Sequence, residues 1–560
     1  MLWETFKAAR DLGRLHDIVI ALIKFGFGDL VQRLGLGTTL ERTGKVLNWK
    51  EVHDYARLDT PERMRRLMEE MGPTYVKLGQ ILATRVDLFT PEWIREFEKL
   101  QDQVPPVPFE SLRSQLLEDL GAAPEELFPY LNQNALAAGS IAQVHRARLE
   151  SGEEVVLKIR RPGIRPVIEA DLRVLARVAQ LVQDQISELR PYHPVDVVRQ
   201  FTISLRRELD LAHECRNAER IARNLRDNSD IVVPAIYWQF TCERVNVQQY
   251  IEGVAGRDMD AVVQAGLDRK LLAERGARAV LQMIVQDGLF HADPHPGNAL
   301  YLAENRLAFI DFGMVGRLTE ERREQVGDLL HGLLERDNAT VVNVLLLWAG
   351  DIPVNAEHLA VEVDGFLDNY HGVALKQLRF STMLGDITTI MRDHHLTMPP
   401  DLTLLFKAFI SLEGLGRQLD PDFEVVTLAQ PYVRQAIMAR YAPEALMRRG
   451  WRGLSDMLRL FGDLPRDLRR LMLAMRKGAL QINVDVAELK EFIQKMDQSA
   501  SRITVGLVTS ALIIGSSIVM TVSGGPTIFG LPVVGFFGFT AAGIGGVWLL
   551  FSIWRSGRRG

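Results

Sequence analysis

His291-Ala292-Asp293-Pro294-His295-Pro296-Gly297-Asn298, then the apolar run Leu307-Ala308-Phe309-Ile310, then Asp311-Phe312-Gly313, is the stretch on which the reading of this chain turns. An Asp and an Asn five positions apart on one loop, followed by a strand that ends in a second Asp, match what phosphoryl transfer needs. One carboxylate must stand near the attacking oxygen, and an Asn and an Asp must together hold Mg²⁺ on the phosphates. Asp293 takes the first role, and Asn298 and Asp311 take the second. Asp-Phe-Gly alone would recur often by chance; the order of the parts supplies the specificity. A histidine metal centre fits less well. Pro294 and Pro296 prevent a helical i, i+4 pairing of His291 and His295 beside Asp293, and no third ligand cluster is apparent. Asp393-His394-His395, further on, has no supporting context and reads as surface or helix-start chemistry.

Working outward, Val155-Val156-Leu157-Lys158-Ile159 is a β-branched strand reached from Ile141–Leu149 through a Ser151-Gly152 turn. Lys158 lies mid-strand, where a kinase keeps the lysine that grips the α- and β-phosphates. The loop Leu136-Ala137-Ala138-Gly139-Ser140-Ile141-Ala142-Gln143-Val144 precedes it at the distance of a nucleotide-covering hairpin. Alanines stand where glycines would let the backbone approach phosphate and adopt positive φ, which predicts a stiffer lid and an altered nucleotide preference. Other departures weaken the case for peptide docking. His291-Ala292-Asp293 has no arginine, and Ala442-Pro443-Glu444 comes too late to serve as a kinase Ala-Pro-Glu, so it reads as a helix start.

The 560 residues are 24% charged and 47% hydrophobic, which excludes a disordered or collagen-like chain. Lys+Arg at 66 against Asp+Glu at 71 argues against a nucleic-acid partner. Two cysteines, Cys215 and Cys242, cannot frame a disulfide scaffold or a zinc site. The pattern predicts amphipathic helices in 1–60, with Ile18–Ile23 too short for a secretory signal and suited to resting on the body or a bilayer surface. A helical extension (61–130) and an α+β lobe (131–252) follow. Residues 253–330 form the catalytic part of a second lobe, and a helical region spans 331–500. Residues 448–477 are rich in arginine interleaved with Trp451, Leu454 and Leu458; they fit a lipid-facing or a solvated basic face equally.

From Ile503 to Trp554 no residue is charged. At about 20 apolar residues per crossing, this run predicts two transmembrane helices, 503–522 and 528–554, joined at Ser523–Pro526. Arg502, Arg555, Arg558 and Arg559 flank it and predict cytoplasmic termini and body. Gly538, Ala542 and Gly546 form a small-residue stripe for close helix approach, either to the hairpin partner or to a second copy in a homodimer.

Taken together, Lys77-Leu78-Gly79-Gln80, Glu208-Leu209-Asp210, the alanine-rich loop and the catalytic loop resemble the UbiB family of atypical, protein-kinase-like proteins, called AarF or ADCK types in other branches. The resemblance implies an α+β protein-kinase-like bilobal fold with a helical N-terminal extension, a large helical C-terminal region and a two-helix transmembrane hairpin in a bacterial inner membrane. It implies ATP (or ADP) and Mg²⁺ as cofactors. It places Glu214 as the helix glutamate that pairs with Lys158, and Lys77, Gly79 and Gln80 in a segment folding over the site, with Lys77 meeting Glu208 or Asp210. It further implies an ATPase supporting ubiquinone biosynthesis, with anionic lipid, ubiquinone precursors and the biosynthetic enzymes as partners. Two alternatives stay open: a gated protein or small-molecule kinase, and a nucleotide-switch scaffold without turnover.

Overall fold

The computed structural model describes residues 9–36, 58–85, 88–100, 104–349, 354–370, 379–394, 396, 398–425, 427–432, 434, 504–519, 527–528, 531–532, 537–538 and 540–547. They belong to two compact units, Met1–Leu446 and Met447–Gly560. The strands in chain order are β1 (Tyr130–Leu131), β2 (Ala137–Ala138), β3 (Ala142–Arg148), β4 (Glu154–Arg160), β5 (Ile231–Val232), β6 (Val245–Gln249), β7 (Val254–Ala255), β8 (Leu289–His291), β9 (Ala299–Leu302), β10 (Arg306–Phe309), β11 (Val315–Arg317), β12 (Thr527–Ile528) and β13 (Leu531–Pro532).

The upper sheet runs β1-β3-β4-β6, with β2 also on β3. Alternation along β4 decides the site. Val155, Leu157 and Ile159 are fully buried and join a core with Phe109, Leu112, Leu116, Val245 and Val247. The two-residue period of a strand therefore turns Lys158 to the other face. Gly152, at φ 89, makes the β3–β4 turn, a backbone region that L side chains rarely adopt. After β4 the chain runs through helices Ile164–Gln185, Pro194–Glu208 and Leu211–Asn224 before it returns to the sheet.

The second lobe holds the sheet β5-β10-β9-β7 and the ribbon β11-β8. The apolar segment before the catalytic loop is helical only to Gln282. It closes with a π turn over Met283–Asp287 and Gly288 at φ 64, and Leu289-Phe290-His291 is strand. Helices Glu320–Glu335, Asn338–Ala349, Ala356–Asn369, Phe380–Asp393 and Pro400–Leu419 complete the unit.

The first helix, Ala9–Lys24, rests on this body. Leu15, Ile18, Val19 and Ile23 are buried with residues of the extension and of helix Ile164–Gln185. At about 1.5–3 kcal/mol per fully buried aliphatic side chain, four such groups fix its place. Asp171, fully buried, joins three segments: it accepts from Arg14 Nε and from Thr74 Oγ1, the latter at 2.6 Å.

In the second unit the expectation of a membrane hairpin is overturned. No described helix is long and apolar enough to cross a membrane. Described helical residues cover 504–519, 537–538 and 540–547, and β12 pairs with β13 where the second crossing was to begin. Pro532, inside the expected helix and unable to donate a backbone hydrogen bond, opposes a helix there. The inner-membrane, two-span localisation does not stand, and the homodimer argued from the hairpin loses its basis. Part of the small-residue stripe packs within the unit: a Cβ on Gly538 would collide with Ser516, and one on Gly545, beside the stripe, would meet Thr509 Oγ1 at 2.9 Å. Gly546, chosen from the four-residue repeat, has nothing near it. Residues 448–477 and Ala442–Glu444 lie outside the described residues.

Candidate active site

The register of the upper sheet sets Ala137 opposite Val144, Val144 opposite Lys158 and Lys158 opposite Asn246. Directly opposed residues share a face, so the alanine hairpin and the lysine line one surface. The hairpin is tight: Gly139 N donates to Ala142 O at 2.8 Å, and Arg161 Nε supports the Gly139 carbonyl at 2.9 Å. Ser140, Ile141 and Ala142 are buried, whereas Leu136 stands exposed. Gln143 is occupied elsewhere. Its buried amide exchanges two hydrogen bonds with the Val107 backbone, fastening the extension to β3. Replacing Ala138 by Gly should shift nucleotide affinity about fivefold, the weight of ~1 kcal/mol of backbone freedom. Unchanged affinity together with unchanged autophosphorylation would place the hairpin away from the nucleotide.

Lys158 Nζ lies 2.8 and 2.9 Å from the two Glu214 oxygens and 3.2 Å from Asp311 Oδ2. Asp210 caps helix Leu211–Asn224 by accepting from His213 N, and so sets the helix that delivers Glu214. One cation thus faces two carboxylates. Burial pushes the Glu214 carboxyl up to about 7, against the pull of Lys158, with Asp311 and Glu208 adding to the rise. Burial works against charge on Asp311 as well, but Lys158 and the Gly313 N–H at 2.8 Å outweigh it and hold Asp311 below the ordinary carboxylate range. Burial also opposes the Lys158 ammonium; Asp311 and Glu214 more than compensate and raise its pKa above the usual lysine range.

The loop from His291 to Asn298 is held through its backbone. Ala292 N donates to Met314 O at 3.0 Å, and β8 pairs with β11. Asp293 N donates to His291 Nδ1 at 3.2 Å, and Asn298 Nδ2 donates to the Asp293 carbonyl at 3.3 Å. The β9–β10 register sets Ala299 against Phe309, and Ile310 N donates to Asn298 O at 3.0 Å, which brings Asn298 beside Asp311. His291 is buried between Phe309 and Phe312, and burial lowers its pKa to about 4, so it stays neutral and structural. Gly256 supports the loop from behind: a Cβ there would lie 2.5 Å from Pro296 O and 3.0 Å from Ala299 O, both backbone atoms unable to give way.

Two site residues escaped the sequence reading. Lys407, on helix Pro400–Leu419, places Nζ 3.0 Å from Asp293 Oδ2. Nothing local marks it, because the contact joins distant parts of the chain. Asn246, fully buried beside Lys158, donates to Gln248 Oε1 at 3.2 Å. An asparagine between two buried valines was its available signal.

In the extension, Lys77 Nζ meets Glu208 Oε1 at 2.6 Å and not Asp210, which serves as a cap. Gly79 allows close packing, since a Cβ would collide with Leu100 and Met68, and Gln80 Nε2 donates to Leu100 O at 3.1 Å.

A strand lysine bound to a helix glutamate, facing an Asp–Asn loop and a strand-terminal Asp-Phe-Gly, defines a protein-kinase-like fold. Comparison with known proteins agrees. The ABC1 atypical kinase-like domain matches residues 99–345, the UbiB helical domain 363–424 and the ABC1/UbiB kinase-like C-terminal domain 487–555. A probable protein kinase UbiB of Marinobacter nauticus is 32% identical over 90% of this chain and 94% of its own length. The Pseudomonas putida counterpart is 35% identical over 69% of this chain and 72% of its own. An uncharacterized Clostridium pasteurianum protein from the 5′ region of hydrogenase 1 is 28% identical over 97% and 99%. The chain belongs to the UbiB family of ABC1-type atypical kinase-like proteins.

Proposed function

We propose that this protein is a Mg-ATP-dependent atypical kinase-like ATPase that supports ubiquinone biosynthesis. The observation that carries the reading is the convergence of Lys158, Glu214 and Asp311 on one side and Asp293 and Lys407 on the other. The metal fits the donors: Asp311 and Asn298 offer the hard oxygen ligands that Mg²⁺ prefers, the Asn298 amide nitrogen being turned to the Asp293 carbonyl. Bound there, Mg²⁺ would neutralise phosphate charge. Lys158, positioned by Glu214, grips the α- and β-phosphates. Asp293 orients water or an acceptor hydroxyl and takes its proton. Lys407 sets a positive charge beside Asp293, where charge develops during transfer. The Lys77–Glu208 pair ties the extension to the helix immediately before Glu214, and this favours a gated site as the second reading.

Phosphate release from Mg-ATP and Mg-dependent nucleotide binding by the purified full chain test the proposal. Release without an acceptor supports an ATPase, and transfer to an added acceptor redirects the reading to a kinase. A folded protein that binds no nucleotide in Mg²⁺ overturns it. Lys407→Ala should lower turnover about 10²-fold, the scale of losing one preorganised charge donor, with nucleotide affinity retained. Turnover at the wild-type rate would remove Lys407 from the mechanism.

A further inference from the structure

We propose that His358, Glu362 and His394 form a site for a first-row divalent transition metal, Zn²⁺ foremost, separate from the phosphoryl-transfer residues. His358 and Glu362 sit one turn apart on helix Ala356–Asn369, so they share a face. His394 stands at the C-terminal cap of the neighbouring helix, Phe380–Asp393. One ligand atom from each residue lies within 4.8 Å of the others. The fold thus gives His394, read from sequence as incidental surface chemistry, two partners from another helix.

The two imidazoles flank the two oxygens of one carboxylate, close enough for small side-chain turns to bring all three groups onto one ion. His358 Nδ1 is 3.4 Å from Glu362 Oε1, and His394 Nε2 is 3.2 Å from Glu362 Oε2. Zinc bonds of about 2.0–2.1 Å place neighbouring ligands of a tetrahedron about 3.3–3.4 Å apart. The His394 side chain is 9% exposed, yet its Nε2 makes no hydrogen bond among the described residues despite lying so near the carboxylate. A buried polar atom without a hydrogen bond is costly, and a metal bond at that nitrogen would remove the cost. His358, 65% exposed, is free to turn and close the remaining edge. Two imidazoles and one carboxylate are a zinc-type set completed by solvent, whereas Mg²⁺ takes oxygen ligands. This cluster is therefore not a second site for the nucleotide's cation. A metal here would clamp the two helices that precede Pro400–Leu419, the helix carrying Lys407.

The test uses the full chain, stripped of metal and titrated with Co²⁺ while visible d–d absorption is read, then with Zn²⁺ in competition and in thermal unfolding. The wild type should show tetrahedral Co²⁺ bands that Zn²⁺ displaces and Mg²⁺ does not, and Zn²⁺ should raise its unfolding temperature. His358→Gln and His394→Gln should each weaken binding by at least about tenfold, the lower end of what even outer-shell changes cost. The chain has 12 histidines, so loss in these variants, more than stoichiometry, decides the location. His358→Gln alters an exposed side chain and keeps the test sound if His394→Gln fails to fold. Absent bands in the folded wild type, or unchanged affinity in His358→Gln, would overturn the site and leave an ion-pair network only.

Discussion

Asp293→Asn should abolish turnover, with phosphate release falling about 10²–10⁴-fold, the usual weight of a positioned general base. Nucleotide should still bind with nearly wild-type affinity. The expectation rests on how the loop is held. The bonds that shape it use the Asp293 main chain: its N–H donates to His291 Nδ1, and its carbonyl accepts from Asn298 Nδ2. An amide side chain leaves those bonds in place and removes only the carboxylate that Lys407 faces. Calorimetric nucleotide titration beside a phosphate-release assay separates the two effects. A variant that turns over like the wild type sinks the role given to Asp293.

Lys158→Ala should have the second-largest effect, on both binding and stability. Glu214 is only 9% exposed and Lys158 22%, whereas Asp311 is 40% exposed. Removing one partner of a buried ion pair costs about 3–5 kcal/mol. Partial solvation here argues for the lower end, about 3 kcal/mol, read as a lower denaturant midpoint, together with loss of Mg-ATP binding. The wild-type trio also predicts a pH dependence. Glu214 titrates near 7 in the folded chain against 4.5 for an ordinary glutamate. Its contribution to stability is therefore complete below pH 4.5, is lost as pH rises through 7, and is flat beyond. Asp311, held below its ordinary range, acts oppositely and loses its contribution only as pH falls below about 4. Raising pH from 5 to 8 should thus destabilise the wild type relative to Glu214→Gln. Parallel unfolding curves for the two proteins across that range would refute the Glu214 assignment.

What could be read from the sequence was local. Asp293, Asn298, Asp311 and Lys158 announce themselves because loops and strands of fixed length carry them, and the period of β4 alone turns Lys158 toward the site. Glu214 needed a family resemblance, since the inserted helices Ile164–Gln185 and Pro194–Glu208 separate it from the strand it serves. Lys407 was illegible. Its neighbours Phe406 and Ala408 are buried core residues, so it reads as a lysine at the edge of an apolar helix. The C-terminal run misled for the opposite reason: absence of charge says nothing of backbone preference, and Thr527–Ile528 pairs with Leu531–Pro532 where a helix was expected.

The reach of Lys407 bears on how this family diverges. Lys158, Glu214, Asp293, Asn298 and Asp311 all fall inside the stretch matched as the kinase-like domain, 99–345, whereas Lys407 falls inside the helical domain, 363–424. The proposed reacting centre of this chain therefore draws its charges from two blocks of sequence. A substitution, exchange or shortening in the helical block alters the charge beside Asp293 while leaving each kinase signature intact, so relatives that look equally competent by those signatures need not share a rate.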